Sequence, residues 1–182
     1  MSKIVAVDVD LTVVDTFNPW MEWFESYTGG RKVLNEDGAY DLVPEMNRIL
    51  AEIGVDLNPF DFWRKTDLYD NLEPVPGVVD VIRAMKDGGY TVVFVSSCVP
   101  EHTKSKKWFL DHHFGYAPFI ATHEKELVAY DCLIDDKLYH IKQGLKARPN
   151  AMHILFTGVR ADGLPDEREN VNTMDCWSKI CF

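Results

Sequence analysis

Three acidic or hydroxyl motifs and one lysine carry the residue types that could do chemistry. Asp8 and Asp10 stand two residues apart in Asp8-Val9-Asp10-Leu11-Thr12, at the end of the apolar, β-branched run Lys3–Val9. Ser96 and Ser97 follow the apolar run Tyr90–Val95. Asp135 and Asp136 follow the apolar stretch that ends at Ile134, and Lys125 precedes Asp135 by ten residues. One Asp at a strand end is ordinary turn chemistry. Asp-x-Asp-x-Thr after one buried strand and Asp-Asp after another are together hard to dismiss. In a parallel α/β sheet, ligands bind beyond the carboxyl ends of the strands. These motifs would therefore meet at one edge. Carboxylates gathered without cations repel one another, and a hard divalent ion such as Mg²⁺, which takes oxygen ligands, would relieve that cost. Lys125 is the loop cation placed to reach the same edge. Lys106 and Lys107 lie on a helix that reads as a solvated face.

The elements that must position these residues alternate. Helices are expected over Val78–Lys86 and Glu101–His112, with strands at Tyr90–Val95, Phe119–Ala121, within Leu127–Ile134 and at Ala151–Phe156; Met174–Ile180 reads as a closing helix. Alternation of this kind argues for a parallel sheet covered on both faces. Residues 16–74 differ. Asn18-Pro19 opens a helix to Tyr27, stopped by Gly29-Gly30; Pro44 opens another to Ile53, with Gly54 as its C-cap; Asn58-Pro59 signals a third, to about Leu68. The stretch shows no convincing strand and is dense in aromatic rings. The expected fold is α/β: a Rossmann-like parallel-sheet core over residues 1–15 and 75–182, with a small helical cap, 16–74, inserted after the first strand.

Composition bounds the function. The chain has 182 residues, 46% hydrophobic, enough for a sizeable core without disulfides. Its net charge of −10 argues against a nucleic-acid polymer or an anionic membrane as partner. An anionic substrate would need a local positive site. The four cysteines form no CxxC pair, and Cys132 reads as a buried thiol. No His pair has metal-ligand spacing, and His153 reads as a satisfied core histidine. Charge arrives too early at the N-terminus for a signal peptide, and no apolar run approaches the roughly 20 residues that span a bilayer. A soluble, cytoplasmic protein is expected.

The arrangement resembles the haloacid-dehalogenase-like (HAD) phosphatases: Asp8-Val9-Asp10-Leu11-Thr12-Val13 looks like their first motif, Ser96 the second, Lys125 the third and Leu133-Ile134-Asp135-Asp136 the fourth. Leu72-Glu73-Pro74-Val75-Pro76-Gly77 and His153-Ile154-Leu155-Phe156-Thr157 extend the resemblance to the 5′(3′)-deoxyribonucleotidases. Leu11 stands where many relatives have glycine, and Ser96 where this family usually has threonine. The resemblance implies Mg²⁺-dependent hydrolysis of nucleoside monophosphates through an aspartyl-phosphate. In that scheme Asp8 is the nucleophile and Asp10 the acid and then the base. Mg²⁺ is bound by Asp8, the Asp10 carbonyl and Asp136, with Asp135 orienting the site from behind. Ser96 and Ser97 donate to the phosphate, and Lys125 supplies a fixed charge. A homodimer is compatible with it. A nucleotide presents a flat base, so Phe17 and Tyr69, near the junctions of the insert with the core, are the candidate substrate-pocket rings. The rivals are a phosphatase of another small metabolite on the same fold, a phospho-receiver domain, and a non-catalytic scaffold, against which the full set of catalytic residue types argues. Receivers place their acidic pair early and the lysine late, the reverse of this chain.

Overall fold

The computed structural model describes residues 2–34, 40–166 and 171–180. Six parallel strands form one sheet: β1 (Ile4–Val7), β2 (Thr91–Ser96), β3 (Phe119–Ala121), β4 (Cys132–Asp135), β5 (Met152–Phe156) and β6 (Asn172–Met174). Their spatial order is β3-β2-β1-β4-β5-β6. The apolar run at the N-terminus makes β1 central. Val5 and Val7 point into one core layer with Phe94, Ile134 and Phe156, while Ala6 points into the other with Val95, Leu133 and Leu155. A strand buried on both faces needs no polar alternation. Strand order reverses at β1, which pairs with β2 on one side and β4 on the other. A crevice therefore opens beyond its carboxyl end.

Helices α1 (Phe17–Tyr27) and α2 (Val43–Ile53) follow β1; α3 (Val78–Asp87), α4 (Thr103–Phe114) and α5 (Leu138–Ala147) connect the later strands. Gly54 ends α2 in the left-handed conformation, as expected for a C-cap. Phe24, Met46, Ile49 and Leu50 make a small cluster of their own, whereas Phe62, Leu68 and Tyr69 join the main core. The two ends of the 16–74 segment meet: Val14 bridges Pro74, and Val75 donates to the Val13 carbonyl at 2.8 Å. Among the described residues no helix is long and apolar enough to cross a membrane.

Four elements differ from the sequence pattern. The third insert helix is a short 3₁₀ segment, Pro59–Arg64, capped by the Asn58 side chain. It ends early because the chain must turn to deliver Leu68 and Tyr69 to the main core. The closing helix reduces to a 3₁₀ turn, Trp177–Lys179, preceded by β6. Trp177 is fully buried and its indole donates to the Thr12 carbonyl at 2.9 Å, which pins the turn under the first motif. The pattern does not announce α5, because Gly144 sits mid-helix.

Gly144 has a packing reason. A Cβ there would lie 2.5 Å from the Tyr130 hydroxyl and 2.9 Å from His153 Nε2. His153 is a core residue as expected, but among the described residues neither of its ring nitrogens has a hydrogen-bond partner. Burial holds its pKa below the ordinary value, so the ring stays neutral. Gly144→Ala gains helix propensity of about 1 kcal/mol but forces backbone or rings apart at a cost of about 1–3 kcal/mol. The variant is expected to melt below the parent in a thermal scan; a higher melting temperature would show that the contact relaxes freely.

Candidate active site

The first motif continues β1. The Asp8 amide donates to the Ile134 carbonyl at 2.9 Å, so Asp8 is still held as a strand residue. The chain then folds back tightly, with Val13 donating to Val9 at 2.9 Å and Leu11 to Val14 at 2.8 Å. Leu11 has φ 60°, a left-handed conformation that costs a side-chain-bearing residue about 1–2 kcal/mol. This turn sends Asp8 and Asp10 to the same side of the sheet edge.

Lys125 is buried between two carboxylates, 2.6 Å from Asp8 Oδ1 and 2.6 Å from Asp135 Oδ2. It is thus a packed, paired cation rather than an open loop lysine, and removing it would strand two buried charges. Burial pulls its pKa down, but Asp135 and Asp8 more than reverse that and keep it charged. For Asp8, burial pushes upward, yet the charge and hydrogen bond of Lys125, with help from Lys106, hold the carboxyl below its usual value. Asp135 is also buried, opposed by Lys125 and repelled by Asp8, and its pKa rises to about 6. It is fully engaged, because its Oδ1 accepts from the Lys137 amide at 2.9 Å. Asp136 is pushed well above the ordinary value by burial and then by the charges of Asp8 and Asp135.

Asp10 is fixed at both oxygens. Tyr69 Oη donates to Oδ1 at 2.6 Å, and Lys106 Nζ to Oδ2 at 2.7 Å. Lys106 also donates to Ser96 Oγ at 3.1 Å and to the Ser97 carbonyl at 2.9 Å. Its side chain is 0% exposed, so the expectation of a solvated face is corrected. On a helix each Cα–Cβ bond tilts toward the N-terminus. Lys106, the fourth residue of α4, therefore points its stem back toward the β2 end.

Tyr69 also takes a different place from the one expected. Its ring is 0% exposed, edge-on to His102 and tilted against Phe109, with no open face on which a base could stack. Phe17 is half-buried, with the Arg160 guanidinium 4.5 Å from its ring centre. Tyr40 lies outside the expected site, yet its hydroxyl donates to Asp136 Oδ2 at 3.0 Å. No sequence signal links residues 96 apart. Beside these groups opens a cleft of about 490 Å³, whose lining includes Tyr40, His123, Tyr139, His140 and Asp162. His140 stays neutral at pH 7, its pKa drawn down to about 4 by burial and then by Lys125.

Asp8, Asp135 and Asp136 each offer an oxygen, all within 4.8 Å of one another and all buried. Among the described residues these three carboxylates share the Lys125 ammonium, and Lys106, paired with Asp10, acts on Asp8 alone from farther off. The raised values of Asp135 and Asp136 express that excess of negative charge. Hard oxygen donors with an uncompensated charge fit a divalent cation.

Comparison with known proteins gives the family and the fold. The family described as 5′ nucleotidase, deoxy (Pyrimidine), cytosolic type C protein matches residues 2–179. The chain belongs to this family. The human cytosolic-type 5′(3′)-deoxyribonucleotidase is 33% identical over 124 residues, 60% of this chain and 59% of the relative. The mouse mitochondrial 5′(3′)-deoxyribonucleotidase is 28% identical over 137 residues, 70% of this chain and 61% of the relative. The chain thus spans about three fifths of the length of these curated relatives. Among solved structures, the HAD-hydrolase YfnB from Bacillus subtilis, bound to magnesium, superposes with a TM-score of 0.62 at 14% identity, covering 98% of this chain and 96% of its own. A predicted phosphoglycolate phosphatase from Haemophilus somnus superposes with a TM-score of 0.61 at 14% identity, covering 90% and 89%. The sheet is therefore a HAD-like α/β fold, as the first motif led one to expect.

Proposed function

We propose that this family member is a phosphoric monoester hydrolase that dephosphorylates nucleoside monophosphates, 5′(3′)-deoxyribonucleotides among them. The observation that carries the reading is the pairing at the β1 tip. Asp8 is kept ionised by Lys125, and Asp10 is fixed two residues away beside the Ser96 hydroxyl. A carboxylate oxygen of Asp8 attacks phosphorus; that bond forms as the bond to the leaving oxygen breaks. Asp10 gives a proton to the departing alkoxide. Water then attacks the aspartyl-phosphate, Asp10 takes its proton, and Asp8 and phosphate are released. One residue serves both turns because the two half-reactions have opposite proton demands. Ser96, Ser97 and Lys125 bind the phosphate oxygens.

Asp8, the Asp10 carbonyl and Asp136 would hold Mg²⁺, with Asp135 positioning Lys125 rather than ligating. When bound, the ion screens the nucleophile from the phosphate's charge and stabilises the transition state. The full pairing of Asp135 supports this division. Residues 16–74 act as a cap over the core of 1–15 and 75–182, and Phe17 contacts the base. A cytoplasmic location belongs to the same reading, supported by the cytosolic-type human relative.

Acids whose folded pKa lies above the unfolded value near 3.8 lower stability as pH rises through the interval between the two, to about 6 for Asp135. Asp136 adds to this in the same direction. A cation bound there recovers that loss, and protons compete with it at low pH. The rise in melting temperature on adding Mg²⁺ is therefore expected to be larger at pH 7.5 than at pH 5. Asp136→Ala should abolish the increment and Asp135→Ala should reduce it less. The reverse ranking would exchange their roles.

Substrate class is tested by phosphate release over a panel with and without Mg²⁺. Stacking of a base on an aromatic ring contributes about 1–3 kcal/mol. Deoxyribonucleotides are expected to exceed phosphoserine and sugar phosphates by about tenfold or more in kcat/KM. Phe17→Ala should narrow that gap while sparing a generic aryl phosphate. Equal rates for deoxyribonucleotides and phosphoserine would remove the nucleotidase reading and leave the phosphatase one.

A further inference from the structure

Ser97 has a partner that the catalytic scheme does not use. Its Oγ lies 2.7 Å from His123 Nδ1. The contact follows from register: β2 and β3 pair with Ser96 opposite Ala121, and the Thr122 amide donates to the Ser96 carbonyl at 3.1 Å. The two loops leave adjacent strand ends side by side. His123 is exposed and lines the cleft next to the site.

A hydroxyl has one proton and two lone pairs. A phosphate dianion offers acceptors only. Ser97 can therefore bind it only when the hydroxyl proton points at the phosphate. Its lone pair then faces His123, which must present Nδ1–H, as the neutral Nδ1 tautomer or as imidazolium. When Nδ1 is bare, Ser97 donates to the ring instead and turns lone pairs toward the phosphate. Little else about Ser97 can adjust, because Lys106 holds its carbonyl at 2.9 Å. Ser96 does not stand in for it: its Oγ is held by Lys106 at 3.1 Å, and its single proton serves a phosphate oxygen of its own in the proposed scheme.

We propose that His123 is a positioning residue of the phosphate site, which sets the direction of the Ser97 hydroxyl proton by donating from Nδ1. This rests on the phosphatase reading, in which Ser97 contacts the phosphate. The two residues then act as one donor, so their removal must not be additive.

The test is a double-mutant cycle on binding of inorganic phosphate, measured by calorimetry in excess Mg²⁺. Both side chains reach the surface, and thermal scans check that each variant folds. Ser97→Ala and His123→Ala are each expected to weaken phosphate about tenfold, and the double variant no further than either single one. His123→Asn, which can donate from a similar position, is expected to recover most of the loss. Losses that multiply in the double variant, or unchanged binding in His123→Ala, would overturn the proposal while leaving the phosphatase reading in place. Absence of phosphate binding by the parent protein would overturn both.

Discussion

Asp8→Asn is expected to lower phosphate release by at least about 10³-fold while the protein stays folded. The amide keeps the shape of the carboxylate but is a far poorer nucleophile, and loss of a covalent catalyst removes most of a rate enhancement. The structure explains why the fold should survive. Lys125 keeps its second partner, Asp135, at 2.6 Å, and one of three crowded carboxylates disappears. Because Lys125 holds the Asp8 pKa below its usual value, the charge contributes to stability, so the melting temperature without Mg²⁺ should fall, but with Lys125 still paired the variant stays folded. Turnover near that of the parent, in a variant shown to be folded, would rule out Asp8 as the nucleophile.

Lys106→Met is expected to lower kcat by about 10²–10³-fold, in the range that a positioned acid–base group contributes. Methionine has similar length and no charge. Asp10 would keep the Tyr69 hydroxyl but lose its cation, and Ser96 and the Ser97 carbonyl would lose a donor each. Breaking a buried pair from one side costs about 3–5 kcal/mol. The lower end applies, because the Asp10 side chain remains 22% exposed and water can solvate it. Lys107 provides the control. It pairs with Asp111 on the surface with its side chain 35% exposed, where such a pair is worth about 0.2–1 kcal/mol. Lys107→Met should leave turnover unchanged and stability nearly so. Steady-state kinetics and urea unfolding of the two variants decide the matter; equal damage from both would reduce Lys106 to an ordinary helix residue.

The contrast between these neighbouring lysines shows what sequence could and could not reveal. Asp8, Asp10, Ser96, Asp135 and Asp136 were legible because each follows a run whose apolar character marks a strand, and strand ends converge in a parallel sheet. Lys125 was legible by its distance from Asp135, although its burial was not. Pro44 and Gly54 marked α2 because both residues restrict the backbone locally. Lys106 was hidden because a run of cations on a helix looks the same whether one stem faces inward or none does. Tyr40 was hidden because its contact with Asp136 joins segments 96 residues apart. Strand β6, Asn172-Thr173-Met174, is an edge strand with no apolar run to announce it; β5 pairing and the buried Trp177 beyond it hold it in place. Features written in local backbone preference were readable, and those decided by which distant surfaces meet were not.

The pinned ends of the insert carry a consequence for how such a chain can be rebuilt. Val13 and Val75 are joined by a hydrogen bond of 2.8 Å, so the core already closes on itself before residue 16 is reached. The entropy of a loop spanning two fixed points grows only slowly with its length, by about 0.6 kcal/mol per doubling. Between those points, the core therefore tolerates inserts of very different size. The return leg is not interchangeable, because Phe62, Leu68 and Tyr69 fill the main core and Tyr69 holds Asp10. The tradeable portion ends near Asn58, and exchanging it gives up the Tyr40 hydroxyl on Asp136 and the packing of Trp20 and Trp23 on the main core. A foreign recognition module grafted in place of residues 16–58, with the return leg kept, would sit beside Asp8, Asp10, Lys106 and Lys125, all of which are supplied from outside the graft.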